Sequence, residues 1–169
     1  DMLRLAAVLV LTLGVAAPAT ANKPLYGEMD LHWNNGFEDA SAACPAISWA
    51  GNIDIDGTWF GMTFVPTSGR DTGKAFHFVE DWAIYDGTFD FSEDFSVGVL
   101  TECEPGDVVL AGEDFGVTGW NDKYRMDGTV STAEDPFEDW MGRRVHMNGL
   151  IVWNEADSSL EAPGTFRLN

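Results

Sequence analysis

Lysine is scarce in this chain, with only Lys23, Lys74 and Lys123. Lysine and arginine together number 9 against 28 acidic side chains, a formal net charge of −19. A field of that sign repels phosphate backbones and anionic headgroups, which argues against nucleic acid and charged lipid as partners. The carboxylates are spread along the sequence rather than gathered in a block. That suits a solvated surface in high salt, where screening weakens their repulsion, or a face that gathers cations. Histidine is equally sparse: His32, His77 and His146 show no His-x-His or His-x-x-x-His spacing, so no metal centre is expected. Gly-x-Ser-x-Gly elbows, Walker loops and dinucleotide fingerprints are missing, so the enzyme classes built on them lose support and no cofactor is expected. No window keeps a helical period for the roughly ten residues a helix needs. The longest apolar run, residues 5–15, falls short of the roughly 20 needed to cross a bilayer.

That run sits between a basic start at Arg4 and a small-x-small site at Ala19-Thr20-Ala21. Residues 1–21 therefore read as a secretory signal peptide, and residues 22–169 as one β-barrel domain that is secreted or periplasmic. No stable membrane insertion is expected after cleavage. Cys44 and Cys103 are the only cysteines, lie in turn-like Ala-Cys-Pro and Glu-Cys-Glu-Pro-Gly contexts, and lack Cys-x-x-Cys spacing. In an exported chain they are expected to form a disulfide staple.

What the chain has in quantity is period-two alternation. Strands are predicted at residues 25–33, 47–55, 58–65, 75–85, 123–132 and 165–168, with others starting near 89 and 108 and the 116–120 stretch ambiguous. Residues 66–73 read as a turn-rich connection, 133–141 as an acidic loop or one helical turn, and 157–163 as loop. Gly-Thr followed by a large apolar residue recurs at Gly57, Gly87, Gly128 and Gly164, three times after Asp, which suggests repeated Asp-Gly hairpin chemistry. Eight to ten short strands point to an all-β fold, a single antiparallel β-barrel of about eight strands, with a β-sandwich as the alternative.

Residues 142–153 alternate most clearly: Val145, Met147, Gly149, Ile151 and Trp153 on one face, Arg144, His146 and Asn148 on the other. If Asn148-Gly149 is strand rather than turn, this stretch could line a cavity with a polar end. Glu80 is the one charge in the apolar row Phe76, Phe78, Trp82, Ile84. Glu80, Arg144, His146, Tyr85 and Trp82 are therefore the candidate ligand-binding set, with Tyr124 near them in pattern. Inside a barrel Glu80 would be desolvated and its pKa raised unless Arg144 paired with it. The catalytic residues, if any, are unknown. Asn52-Ile53-Asp54-Ile55-Asp56-Gly57 opens like a calcium loop, but Thr63 stands where the bidentate Glu belongs.

Gly57-Thr58-Trp59 opening an apolar strand resembles the Gly-x-Trp signature of lipocalins and related calycins, in which the tryptophan plugs one end of an eight-stranded barrel. In that family the motif lies on the first barrel strand; here two predicted strands precede it. Its Thr-Asp-Tyr is echoed by Asn121-Asp122-Lys123-Tyr124. Allene-oxide-cyclase-like and dirigent-like barrels fit the length and exported pattern equally well, with no motif carrying their catalytic residues. Three functions follow: a barrel binding a small apolar or amphipathic molecule, lined from seven tryptophans and eleven phenylalanines; a cofactor-free cyclase or isomerase using Glu80, His146 or a tyrosine; or a surface module with a filled core. Whether the protein is an enzyme, and its oligomeric state, stay open at this level.

Overall fold

The alternation closes in space into a wall with an inside and an outside. The computed structural model describes residues 23–34, 43–91, 95–96, 99–156 and 159–169, so the expected signal peptide lies outside the described residues. Its strands are, in chain order, β1 (Leu25–Trp33), β2 (Trp49–Ile55), β3 (Thr58–Asp71), β4 (Ala75–Tyr85), β5 (Phe95–Ser96), β6 (Val99–Leu100), β7 (Val108–Gly119), β8 (Lys123–Ala133), β9 (Arg144–Leu150), β10 (Val152–Asn154), β11 (Ser159–Glu161) and β12 (Gly164–Leu168). Strands β1, β2, β3, β4, β7, β8, β9 and β12 pair antiparallel in that succession, and β12 returns to β1 from Leu25↔Leu168 to Met29↔Gly164. The fold is a closed eight-stranded antiparallel β-barrel, not a sandwich. β5 and β6 form a separate short ladder, and the β10–β11 hairpin joins the end of β1 through His32↔Glu161.

Inward rows carry the apolar side chains. Met29 and Leu31 from β1, Ile53 from β2, Phe60, Met62 and Phe64 from β3, Trp82 and Ile84 from β4, Met147 from β9 and Phe166 from β12 belong to one buried cluster. Burying each such side chain is worth about 1.5–3 kcal/mol over leaving it in water. One end of the barrel is packed shut. The acidic stretch after β8 makes a 3-10 turn at Glu138–Trp140, which buries Phe137 and Trp140; the Phe137 ring meets Phe60 edge-on at 5.4 Å.

β3 is apolar on both faces over Trp59, Phe60, Met62 and Phe64, and the outer side of β2 and β3 has its own cover. Cys44, Ile47, Phe89 and Leu100 pack over Ala50, with Val65, Phe91 and Cys103 against them. The Cys44–Cys103 disulfide is present and closes a loop of 59 residues, worth about 4 kcal/mol in the chain-entropy picture. At the centre of this cover is Asn34, fully buried: its amide donates to the carbonyls of Cys44 and Ile47, both at 2.9 Å, and its carbonyl accepts from Leu100 N–H at 3.0 Å. Asn52 ties the cover down from the next strand by exchanging two 2.9 Å hydrogen bonds with the Phe89 backbone.

Several sequence expectations are corrected. Residues 66–71, read as a connection, continue β3, with a bulge between Pro66 and Ser68 that accommodates a residue lacking an N–H. β7 runs unbroken across the ambiguous stretch, because its inward row is Leu110, Gly112, Asp114, Gly116, Thr118 rather than an apolar series. Ser159–Glu161 is strand rather than loop. Asp127-Gly128, read as hairpin chemistry, lies in mid-strand between β7 and β9. Asp56-Gly57 does turn a hairpin, with φ of 52° and 84°, and Asp54 accepts from Gly57 N–H at 2.8 Å. The expected strand from residue 89 falls partly outside the described residues.

Asn148-Gly149 is strand, pairing with Thr165 and Gly164. A β-carbon on Gly149 would lie 2.5 Å from the Tyr124 hydroxyl, and one on Gly164 2.1 Å from it. The two glycines make room for that phenol. The strand ends at Leu150, and Trp153 belongs to β10, where it is exposed.

Asn34→Leu keeps the size but strands two carbonyls and an N–H inside the cover. It is expected to cost about 3 kcal/mol in chemical denaturation; an unchanged midpoint would show that the cover is held by its apolar contacts alone.

Candidate functional site

Opposite the packed end the inward rows stop filling the lumen. A cavity of about 570 Å³ opens there, walled by Leu31, Trp33, Trp49, Phe64, Phe76, Phe78, Met126 and Ile151. Trp33 and Trp49 meet edge-on at 5.1 Å, across the β1–β2 pair. Ser48, Thr67, Ser68 and Thr118 give the lining some polarity, and Glu80 and Tyr124 reach it as ionisable groups.

Glu80 lies opposite Asp114 in the β4–β7 ladder, in the same inward rows, which sets their β-carbons about 5 Å apart. Glu80 is 5% exposed and Asp114 2%, and neither Asp114 carboxyl oxygen has a hydrogen-bond partner. Trp82, next along the inward row from Glu80, also has an unpartnered buried indole N–H. The space around Asp114 is cleared by glycine. β-Carbons on Gly112 and Gly116 would run into the rings of Trp82 and Phe78, and one on Gly128 into Asp114 itself. Lys23, Arg70, Lys74, Lys123, Arg125, Arg143, Arg144 and Arg167 are all exposed, so among the described residues no lysine or arginine faces the pair.

Without a counter-cation, both acids are pushed toward the neutral form. Burial, and then the charge of Asp114, raise Glu80 to about 9. Burial raises Asp114 to about 8, helped by the carboxylates of Asp81, Glu113 and Asp127. Tyr124 donates its hydroxyl to the Ala162 carbonyl at 3.1 Å; burial, then Glu80, push its pKa up as well. Near neutral pH the cavity thus has one protonated carboxyl in its lining, Glu80, with a second, Asp114, buried beside it; such groups can donate a hydrogen bond or give up a proton.

The sequence candidates part company here. Glu80 lines the cavity. Trp82 lies below it in the packed core, edge-on to Phe166 at 6.0 Å. Tyr85 is outside the barrel wall beneath the cover, its hydroxyl 3.1 Å from Thr63 Oγ1. Arg144 is exposed, and His146 hydrogen-bonds Asp127 on the outer face of β8 and β9. Odd and even positions exchange faces in a strand, so with Val145 and Met147 inward, Arg144 and His146 point away from Glu80. Asp114 was missed. Its signal was available in Gly112-Glu113-Asp114-Phe115-Gly116, where a lone acid between glycines at period two marks an inward row relieved of bulk.

His32, His77 and His146 lie on three separate strands, and among the described residues no three His, Cys, Asp or Glu side chains gather as a metal site. Trp59 is 53% exposed on the outer face of β3, so it does not plug the barrel as the calycin tryptophan does; Phe60, Phe137 and Trp140 close that end. Fold and site together define a closed eight-stranded barrel holding a half-open aromatic cavity over a buried pair of acids. Comparison with family models, curated proteins and solved structures finds no match to the chain.

The acid pair makes stability depend on pH with a determined sign. In the unfolded chain both carboxyls ionise near pH 4; folded, they hold their protons to about 9 and about 8. The unfolded state then binds fewer protons, so each acid removes about 1.4 kcal/mol per pH unit between those limits. Tm is expected to fall from about pH 5 to about pH 8, and the Glu80→Gln, Asp114→Asn double variant to flatten that fall. An equally steep decline in the variant would place its origin in the surface charge.

Proposed function

We propose that this protein is a ligand-binding barrel that takes a small apolar or amphipathic molecule into the cavity between Phe64, Phe78 and Met126. The observation that carries this is the uneven filling of the lumen. A barrel that served only as a structural module would gain from packing both ends, yet here one end is plugged by aromatic rings while the other keeps about 570 Å³ open. That volume is in the range of small-molecule sites, and the wall is apolar and aromatic with a few polar groups, as such sites are. The single disulfide, and the absence among the described residues of any helix long and apolar enough to cross a membrane, are compatible with a secreted or periplasmic carrier.

A second reading is favoured by Glu80 itself. A carboxyl held protonated to about 9 at the floor of an apolar cavity is suited to general acid work, as a cofactor-free cyclase or isomerase would need. The two readings separate on one variant: Glu80→Gln would abolish turnover in the enzyme and leave apolar binding in the carrier.

Binding of an environment-sensitive apolar dye should enhance its fluorescence and be competed by medium-chain alcohols. Thr118→Trp adds bulk opposite Phe76 at the mouth and should weaken binding by about tenfold or more, the scale of one lost apolar contact set. Dye binding unaffected by Thr118→Trp would move the site out of the lumen.

A further inference from the structure

We infer that the cavity selects amphipathic organic cations, seating an ammonium head against Glu80 beside Asp114 and an apolar body against the aromatic wall. This rests on the ligand-binding reading above and adds to it the chemical class of the ligand.

Four observations lead there. Glu80 and Asp114 face each other in register on β4 and β7, and no lysine or arginine among the described residues faces them. Asp114 is 2% exposed with both carboxyl oxygens unpartnered. Buried polar groups are normally satisfied by protein or by something bound, and the two unpartnered oxygens of Asp114, with no lysine or arginine among the described residues facing them, leave a place for a cationic donor. Phe78 and Trp82 pack against Gly116 and Gly112 on either side of Asp114, so aromatic rings flank the position where a cation would sit. The net charge of −19 draws cations toward the mouth and repels carboxylates. A fatty acid would bring a third acid to a pair that has no lysine or arginine among the described residues facing it. A bare metal ion would find two carboxyls where hard cations take about six or more oxygens.

The proton balance follows. A primary ammonium arrives charged, the acid pair is neutral, and forming the ion pair expels one proton from the pair to solvent. The groups around the pair are Asp81 on β4, Glu113 on β7, and Asp127 and Tyr124 on β8, with Arg125 and His146 engaged by Asp127. The carboxylates raise the pair, so ammonium binding strengthens as pH rises toward about 8 and levels off once the pair ionises unaided.

Calorimetric titration of the folded protein with decylamine, decan-1-ol and decanoate tests this, since the three share a chain and differ in the head. At about pH 8 decylamine should bind about tenfold or more tighter than decan-1-ol, the scale of one charge-assisted hydrogen bond. Its affinity should rise by up to tenfold per pH unit from about pH 6 to about pH 8, with buffer-dependent heats reporting release of about one proton per amine bound. Glu80→Gln should bring amine and alcohol level while alcohol binding is retained; Asp114→Asn should reduce the proton release, and it carries the comparison if Glu80→Gln does not fold. Equal affinity for amine and alcohol, or tighter decanoate, overturns the cation assignment and leaves the cavity reading standing. No binding of any of the three overturns both.

Discussion

The pairing of β12 with β1 is the constraint on which everything else depends. It joins the two ends of the described chain, removes the free edges that an eight-stranded sheet would otherwise present, and turns a period-two pattern into an inside and an outside. Once the wall is closed, the parity of every residue is fixed. That parity seals Phe60 into the packed end, sets Glu80 opposite Asp114, and turns Arg144 and His146 to the outer face.

Closure also limits what can fill the interior. The inward rows of β3 and β4 are bulky, and β7 answers them with Gly112 and Gly116, so the rings of Trp82 and Phe78 lie over bare backbone on the adjacent strand. The same complementarity appears where Gly149 and Gly164 receive the Tyr124 phenol. Size is exchanged between neighbouring strands, which lets a barrel of this size hold large aromatics and still keep a cavity at one end. At the base of that cavity Glu80, and Asp114 buried beside it, stay neutral because burial costs a charge more than protonation does. The outer cover is a second apolar cluster tied down by Asn34, Asn52 and the disulfide, and it shields the outer face of β2 and β3.

Much of the wall was legible in sequence. Strands β1, β4 and β8 alternate cleanly, so their bounds were read to within a residue, and Glu80 stood out as the one charge in an apolar row. β7 was not legible, because an inward row of glycine and aspartate has no apolar period to read; its apolar character is supplied by side chains from β4. Residues 66–71 were hidden for a related reason, since proline and serine at a bulge look like turn. Arg144 and His146 were grouped with Glu80 as polar positions on apolar strands, but the face a strand turns inward depends on which of its two rows is the more apolar. In β9 that row is Val145, Met147 and Gly149.

By itself, the sequence determined that this is an all-β chain with strands in nearly this order, carrying a strongly acidic surface, one disulfide and one acid set among aromatics. Local alternation, turn residues and cysteine count are properties of short stretches, and they survive into any fold the chain adopts. Only the tertiary structure decided that the acid is one of two, that no arginine among the described residues reaches them, and that the lumen is filled at one end and open at the other. Those are relations between residues tens of positions apart, set by the register of neighbouring strands and the volumes that meet across the barrel. No window along the chain contains them.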